Sequence, residues 1–451
     1  MLVFGTAKVR LMKKIIVLFV SLLVFTFTIV ARASGADLAQ NLPQKVLYVG
    51  HRGSDFVPFL KQHFATVQSV SREKFQPAQV RDFDVVVLDW PQSHQMRGAW
   101  LDGSPLGRRE DWSKPTVLLG SAGLNLAVAW KLKGGSGCTC LAPVAYNLQN
   151  HPIFKTPIPI DITATTNIST PEQFQKDLKG QPTIAVLPLI NGIRQYETVI
   201  RDNARGWSTH YYEFADMPEV ELFSGGINEQ TPESAAFWRQ GNLLHFGFEQ
   251  SPAQLNATGR AMVVNAIVYI SHFTQDRPID ITPSVFGEEK IGISRQRAKY
   301  YLADHPDWAT NELSAAALAS FNWRDSAEVK AWTATNLIWL HPGPGNFLEI
   351  DAEAKGFGVP FDSPDFLPKT IAALRNEKTK TVAATLLARY VNEPPANNAA
   401  AWAKWWKENA PYVFYSELGC YRWYIDPLAK KRGIPTKDLR GPARADPDKP
   451  I

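Results

Sequence analysis

From Lys45 to about Asp276, short apolar runs alternate with segments whose apolar residues recur at helical spacing. Lys45-Val-Leu-Tyr-Val-Gly50 reads as a compact strand, and Asp55 to Phe64 as a helix with Phe56, Phe59, Leu60 and Phe64 along one side. Thr66 to Val70 is a second strand. Asp84-Val-Val-Val-Leu-Asp-Trp90 and Pro115-Thr-Val-Leu-Leu-Gly120 are continuous β-branched runs of the kind buried on both faces in a parallel sheet. A helix follows from Ala122 to Lys131. The stretch from Cys138 to about Tyr212 is rich in Pro and Thr and reads as strands and long loops, with one clear strand at Thr183 to Leu187. Asn242 to Phe248 is a closing strand, and Asn256 to Ile270 a closing helix. Strands alternating with helices predict a flavodoxin-like, doubly wound α/β sheet over residues 45–276.

Beyond a boundary at Gln275-Asp-Arg-Pro-Ile-Asp-Ile-Thr-Pro283 the pattern turns helical. Ser294 to Asp304, Ser326 to Trp332, Pro368 to Asn376, Thr379 to Tyr390 and Ala399 to Asn409 suggest a smaller, HEAT-like α-helical domain over residues 285–429. No repeat period supports a full solenoid. Residues 430–451 are rich in Lys, Arg, Pro and Asp and read as an extended, solvated tail. Trp402, Trp405 and Trp406 fall on one helical face, which favours packing over stacking on sugar rings.

Residues 1–33 read as a secretory signal. Arg10, Lys13 and Lys14 form the charged segment, Ile15 to Val30 the apolar one, and Ala31-Arg32-Ala33 the cleavage pattern. The apolar run holds sixteen residues, just short of the roughly 17–25 that span a bilayer, so membrane attachment is expected only if the signal is uncleaved. The expected location is exported, periplasmic or extracellular. The leader also changes the charge balance. The whole chain has 48 Lys+Arg against 43 Asp+Glu, and the five basic residues of 1–33 carry all of the surplus. A neutral mature chain argues against nucleic acid as a partner. Export permits a disulfide among Cys138, Cys140 and Cys420. A bridge across Cys-x-Cys looks strained, so Cys420 with one of the pair is the easier bridge, and three unbridged thiols the simplest expectation.

In an open α/β sheet, ligands bind outside the carboxyl ends of the strands. That rule selects His51 and Arg52 after the first strand, Asp89 at the end of the third, Ser121 after the fourth and Glu249 after the last. His51 can exchange protons near neutral pH, and Arg52 suits a carboxylate or phosphate. A Ser, a His and a carboxylate around one crevice form a possible nucleophilic set, with Ser121 served by His51 and by Asp89 or Glu249. The turn Gly120-Ser121-Ala122-Gly123 departs from Gly-x-Ser-x-Gly, however. Ala122 takes the nucleophile position and Leu124 replaces the second Gly, which favours Ser121 as a helix cap. His245, between Leu244 and Phe246, reads as structural. Nine scattered His give no metal spacing, and Lys133-Gly-Gly-Ser-Gly137 lacks the ending of a phosphate loop, so neither metal nor cofactor is expected.

Two phrases carry a family likeness. With Asn150-His-Pro-Ile-Phe154 at mid-domain and Trp238-Arg-Gln-Gly-Asn-Leu-Leu-His-Phe-Gly-Phe248 near its end, the first domain resembles the ThuA-like branch of the class I glutamine amidotransferase-like fold. The resemblance implies a flavodoxin-like sheet and a link to sugar metabolism. Amidotransferases of this fold use an elbow Cys with a later His and Glu. Here Ala122 stands at the elbow, no His precedes Glu249 in that pattern, and Cys138 and Cys140 lie off the turn, so that chemistry is not carried over. Leu386-Leu-Ala-Arg-Tyr390, Ala401-Trp-Ala-Lys-Trp-Trp406 and Tyr421-Arg-Trp-Tyr424 are similar to the endings of uncharacterised exported bacterial proteins with HEAT-like helices.

These features point to a non-catalytic or degenerate domain that binds a small polar or sugar-like ligand or a protein partner. A serine-type hydrolase acting on a carbohydrate-related substrate and an envelope scaffold are the alternatives. The leader gives the first test: mass spectrometry of the protein recovered from outside the cytoplasm should find Ser34 as its first residue. A membrane-retained chain with an intact leader would show an anchor instead.

Overall fold

The computed structural model describes residues 41–89, 104–130, 132, 137–175, 178, 180–193, 205–211, 216–229, 234–274, 276–279, 295, 298, 302, 306–343, 347–396, 398–417 and 419–436. The expected signal, Trp90, Asp280 and residues 437–451 of the tail lie outside the described residues. Among the described residues, no helix is long and apolar enough to cross a membrane.

Among the described residues, twelve strands form the main sheet. Its parallel half has the order β2 (Phe64–Val70), β1 (Leu42–Val49), β3 (Val85–Asp89), β4 (Thr116–Leu119) and β12 (Leu243–Phe246). All four of these pairings are parallel. The order 2-1-3-4 followed by the closing strand is that of flavodoxin-like sheets, in which the direction of winding reverses between β1 and β3. The apolar runs produce this half directly, because β3 and β4 are buried along their whole length. The alternation of side chains then feeds two layers. Val46, Tyr48, Val85, Val117 and Phe246 face the layer of helices α1 (Gly53–His63) and α3 (Ala257–Ile270). Leu47, Val86, Leu118 and Leu243 face α2 (Ala122–Ala129) and Trp112 on the other side.

The second half of the sheet differs from the expected doubly wound pattern, since it is antiparallel. It runs from β12 through β11 (Ser234–Gln240), β10 (Val220–Gly226), β6 (Val144–Tyr146) and β8 (Thr183–Pro188) to β7 (Thr166–Ser169). Two short strands, β5 (Gly137–Cys138) and β9 (Ser208–His210), join beside it. Tight connections and short strands explain why the Pro- and Thr-rich sequence gives no helical period here.

Four of the five expected helices are present in the second region, several of them opened by a capping side chain, while most of Ser294 to Asp304 lies outside the described residues. Asp325, Asp351 and Asn398 accept from Ala327, Ala354 and Ala401 amides at 2.8–2.9 Å. They start α6 (Ser326–Asn336), α7 (Ala352–Phe357) and α10 (Ala399–Asn409); α4 (Ala309–Glu312) and α5 (Ala315–Leu318) precede these, and α8 (Phe366–Ala373) and α9 (Lys380–Tyr390) lie between. Trp402 is buried in their common core, and Trp405 and Trp406 pack against it. Two hairpins interrupt the helices, β13 (Leu340–Pro342) with β14 (Leu348–Ile350) and β15 (Val413–Ser416) with β16 (Arg422–Ile425). Lys430, expected to open an extended tail, instead lies in α11 (Pro427–Arg432), started by the Asp426 cap.

The two regions are joined by more than a linker. Phe414 and Tyr424 of the second hairpin pack in one apolar cluster with Trp207, Trp238 and Leu124 of the sheet side. Asp216 accepts from Ser416 Oγ at 3.2 Å and from the Glu417 amide at 2.7 Å. Arg432 of α11 donates to Asp276 at 3.0 Å. Asp276 also accepts from Arg239, a fully buried arginine on β11 that is paired with Glu221 at 2.5 Å and stands over the Phe273 ring. Removing one partner of such a group leaves the others charged without compensation. Arg239→Ala is therefore expected to cost about 3–5 kcal/mol, read as a lower denaturant midpoint. A loss below about 1 kcal/mol would show that the network is not a structural tie.

Candidate functional site

The carboxyl ends of β1, β3, β4 and β12 come together with the turns that follow β1, β4 and β12, and four of the five residues selected from sequence meet there. Asp89 closes β3 with no exposed surface. Its carboxylate accepts from Arg52 Nε at 3.0 Å and Nη2 at 2.5 Å, a two-point grip, and from the Tyr48 hydroxyl of β1. The third arm of Arg52, Nη1, donates to the Glu249 carbonyl at 2.5 Å. Tyr48 also accepts from the Arg52 amide at 3.1 Å, and Phe56 lies under the guanidinium. Burial, followed by the Asp89 charge, keeps the Tyr48 phenol protonated far beyond its ordinary range. Burial opposes the Arg52 charge, but Asp89 outweighs it and raises the arginine further. Gly50 makes this approach possible: a Cβ there would stand 2.6 Å from Asp89 Cβ.

A second contact closes the neighbouring turn. Ser121 is completely buried, and its Oγ donates to Glu249 Oε2 at 2.6 Å. This differs from the expected helix cap, because the hydroxyl serves the carboxylate. The Gly123 amide, which a cap at Ser121 would serve, donates to Gly120 O at 3.3 Å instead. Gly120 has φ +53°, and a Cβ there would meet Glu249 Cγ at 2.9 Å. Glycine is thus required on both grounds. Ala122, at the elbow's nucleophile position, is buried under the sheet.

His51 does not join the group. Its Nε2 lies 3.2 Å from Glu73 Oε1 at the rim, with about a fifth of the side chain exposed. The nucleophilic set proposed from sequence is therefore not assembled: Ser121 and Glu249 are together, Asp89 is held by Arg52 and Tyr48, and His51 faces Glu73. Arg52, expected as an anion receptor, spends its donors on Asp89 and Glu249. Among the described residues, no group of three or more His, Cys, Asp or Glu could hold a metal ion.

The remaining sequence candidates are structural. His245 of β12 stacks flat on Trp238 at 3.8 Å and leans on Trp207, with neither ring nitrogen hydrogen-bonded. A Cβ at Gly123 would fall 2.6 Å from its Nδ1. His151 of the His-Pro-Ile phrase accepts from the Ile153 amide at 3.2 Å and starts a short 3-10 turn. Asn265 of α3 bonds Ile153 O and Ile158 O at 2.8 Å and so fastens that loop to the core. Sequence reasoning missed Tyr48, a polar tip inside an apolar strand, and Arg239, the one charge in Ser234–Gln240. A charged residue inside a fully buried strand was the available signal for the second.

The cysteines also depart from expectation. Cys140 is disulfide-bonded, whereas Cys420 remains a thiol. Neither three unbridged thiols nor a bridge from Cys420 therefore describes the chain.

The strand order and the closed carboxyl end define a flavodoxin-like α/β protein followed by a helical region. No family model matches the chain, and no curated protein matches it. Among solved structures it is similar to a Thermoplasma acidophilum protein described provisionally as one of the subunits of a GMP synthase. The identity is 10% and the TM-score 0.27, over 51% of this chain and 96% of that one. A likeness of that size carries no argument about function.

Burial pushes both His245 and His151 down to about 3 from the usual 6.5. Between those values the unfolded chain binds protons that the folded one does not. Stability is therefore fully present above about pH 6.5 and falls as the pH drops toward 3, by up to about 1.4 kcal/mol per pH unit for each histidine. Urea midpoints at pH 7, 5 and 4 should show that slope, and His245→Phe should reduce it by about half, leaving the share of His151. An unchanged slope in the variant would mean that His245 does not titrate as a buried neutral ring.

Proposed function

We propose that the chain is an exported, non-catalytic binding protein whose ThuA-like, class I glutamine amidotransferase-like domain receives a small polar or sugar-like ligand, with the helical region as its attachment to envelope partners. The observation that carries this is the state of the turn after β4. Ala122 occupies the nucleophile position, and the hydroxyl beside it donates to Glu249. A serine made nucleophilic by a base needs an imidazole or equivalent group that takes its proton near neutral pH. His51 is turned to Glu73 and His245 is enclosed between indoles. Arg52 and Asp89 act here as positioning residues: they hold the loop that presents His51 at the rim against Glu73 of the turn after β2, where a polar ligand finds a donor and an acceptor.

The hydrolase alternative rests on the Ser121–Glu249 contact and predicts a different experiment. A fluorophosphonate probe is expected to leave the folded protein unlabelled. Labelling that disappears in Ser121→Ala would overturn the non-catalytic reading. In parallel, a thermal-shift screen with monosaccharides and sugar acids is expected to return a stabilising ligand. Its affinity should fall about tenfold in His51→Ala, the loss of roughly one hydrogen bond. Equal affinity of the wild-type and His51→Ala chains would remove the rim from the site.

A further inference from the structure

At the amino ends of the parallel strands, opposite Arg52 and Asp89, a cleft of about 460 Å³ opens to solvent. That volume lies within the roughly 300–1,000 Å³ of small-molecule sites. The cleft is built from Gln44 near the start of β1, Asp84 before β3, Lys114 before β4 and the turn after α3. Its two charges are held in place but not paired. The Asp84 amide donates to Lys45 O, and Asp84 Oδ2 accepts from the Lys45 amide, both at 2.8 Å. The Lys114 carbonyl accepts from Thr116 Oγ1 at 2.8 Å and from Asn242 Nδ2 at 3.1 Å, which fixes the backbone beneath the side chain. The half-buried Lys114 ammonium donates to Phe83 O at 2.5 Å and forms no ion pair among the described residues. Burial pushes it below its ordinary range, with the charges of Asp84 and Asp82 working against that. Gln44 adds an unmet acceptor: its Nε2 reaches Ser271 Oγ at 3.5 Å, and its Oε1 is enclosed with no donor. An enclosed acceptor without a donor is a standing cost, relieved when the amide turns toward an N–H group in the cleft.

We propose that this cleft binds a free α-amino acid with an uncharged side chain, its carboxylate on the Lys114 ammonium and its ammonium on the Asp84 carboxylate. An ammonium and a carboxylate that line one cleft without meeting are complementary to a ligand that carries both charges, and each contact is a charge-assisted hydrogen bond. Gln44 Oε1 gives the ligand ammonium a second acceptor. Ser271 Oγ is committed to Val268 O at 2.6 Å, so the hydroxyls left to donate are those of Ser113 and Thr274. Pro43 and Pro115 complete the lining without adding charge, so a charged ligand side chain finds no partner among them. The site shares no residue with the rim at His51 and Glu73, and the two readings therefore fail independently.

The test is calorimetric titration of the full chain with glycine, L-alanine, L-serine, L-threonine and L-valine, each compared with its N-acetyl and methyl-ester derivatives. At least one amino acid is expected to bind with a Kd of about 1 mM or tighter. Blocking either end should weaken it about tenfold or more, the loss of one charge-assisted bond. Asp84→Asn keeps an acceptor for the Lys45 amide, and Lys114→Gln keeps a donor for Phe83 O, so each removes a charge with its structural bond retained. Both are expected to weaken the amino acid to the level of the matching blocked derivative. Ser113 is exposed, and Ser113→Trp should fill the cleft and abolish binding with the melting temperature within about 2 °C of wild type. Where a charge variant fails to fold, the blocked derivatives and Ser113→Trp decide the matter. No binding of any of the five to the wild-type chain would overturn the proposal. Equal affinity for the blocked derivatives, or full affinity in Ser113→Trp, would do the same.

Discussion

Asp89 lies at the end of a central strand with no exposed surface, and the carboxyl end of the sheet is organised around satisfying that charge. A buried carboxylate is tolerated when paired and hydrogen-bonded, and strongly unfavourable otherwise. Here Arg52 supplies two bonds and Tyr48 a third, and the same guanidinium reaches on to the Glu249 carbonyl. One side chain thus spans the end of β1, the end of β3 and the loop after β12. Gly50 and Gly120 are the steric conditions for it, since a methyl group at either would collide with Asp89 or Glu249. The place where a flavodoxin-like sheet ordinarily receives a ligand is therefore occupied in large part by the protein's own ion pair, which is why the proposed ligand site lies at the rim, beside His51 and Glu73.

A second constraint works from the other half. Arg239, Glu221 and Asp276 are enclosed together, with Tyr269 donating to Glu221 at 2.9 Å. Asp276 is shared with Arg432 of the last helix, so the charge balance inside the sheet is completed by the far end of the chain. The apolar contacts of Phe414 and Tyr424 with Trp238 act in the same direction. The helical region thus covers sheet surface that would otherwise stay exposed, and cutting the chain between the two regions would uncover apolar surface and take from Asp276 one of its two arginine partners. That bears directly on the scaffold alternative, since the two halves are not separable modules in the way the change of composition implies.

The parallel half was legible because its strands are buried on both faces and so read as unbroken apolar runs. The long helices were legible from their periodicity: Ala399–Asn409 is found at the bounds that the pattern predicts. The antiparallel half was legible only at Thr183 to Leu187, found within β8: β11, buried along all seven residues, has no alternation to read, and strands of three or four residues such as Val144–Tyr146 are too short for one to stand out. The hairpins at Leu340 and Val413 escaped for the same reason. Within the site, the rule that ligands gather at strand ends found Arg52, Asp89, Ser121 and Glu249 correctly as neighbours. It had no means of showing direction. His51 is adjacent to Arg52 in sequence, yet consecutive residues in a turn point apart, and the imidazole leaves for Glu73.

Proximity of a serine to a carboxylate does not by itself make a nucleophile. In Ser121 and Glu249 the hydroxyl proton is directed at Oε2, the geometry required for proton removal, but carboxylates as a class are far weaker proton acceptors near neutral pH than imidazoles. The pair also lacks the room that a reacting carbonyl needs, since Gly120 already lies against Glu249 and Ser121 has no exposed surface. What the contact does provide is a fixed bearing for the loop after β12, whose carbonyl receives Arg52. Ser121, Glu249, Arg52 and Asp89 then form one continuous chain of hydrogen bonds across four strand ends. A chain of that kind ties those ends to one another, and a preorganised rim with a donor and an acceptor at its edge is what the proposed recognition role requires.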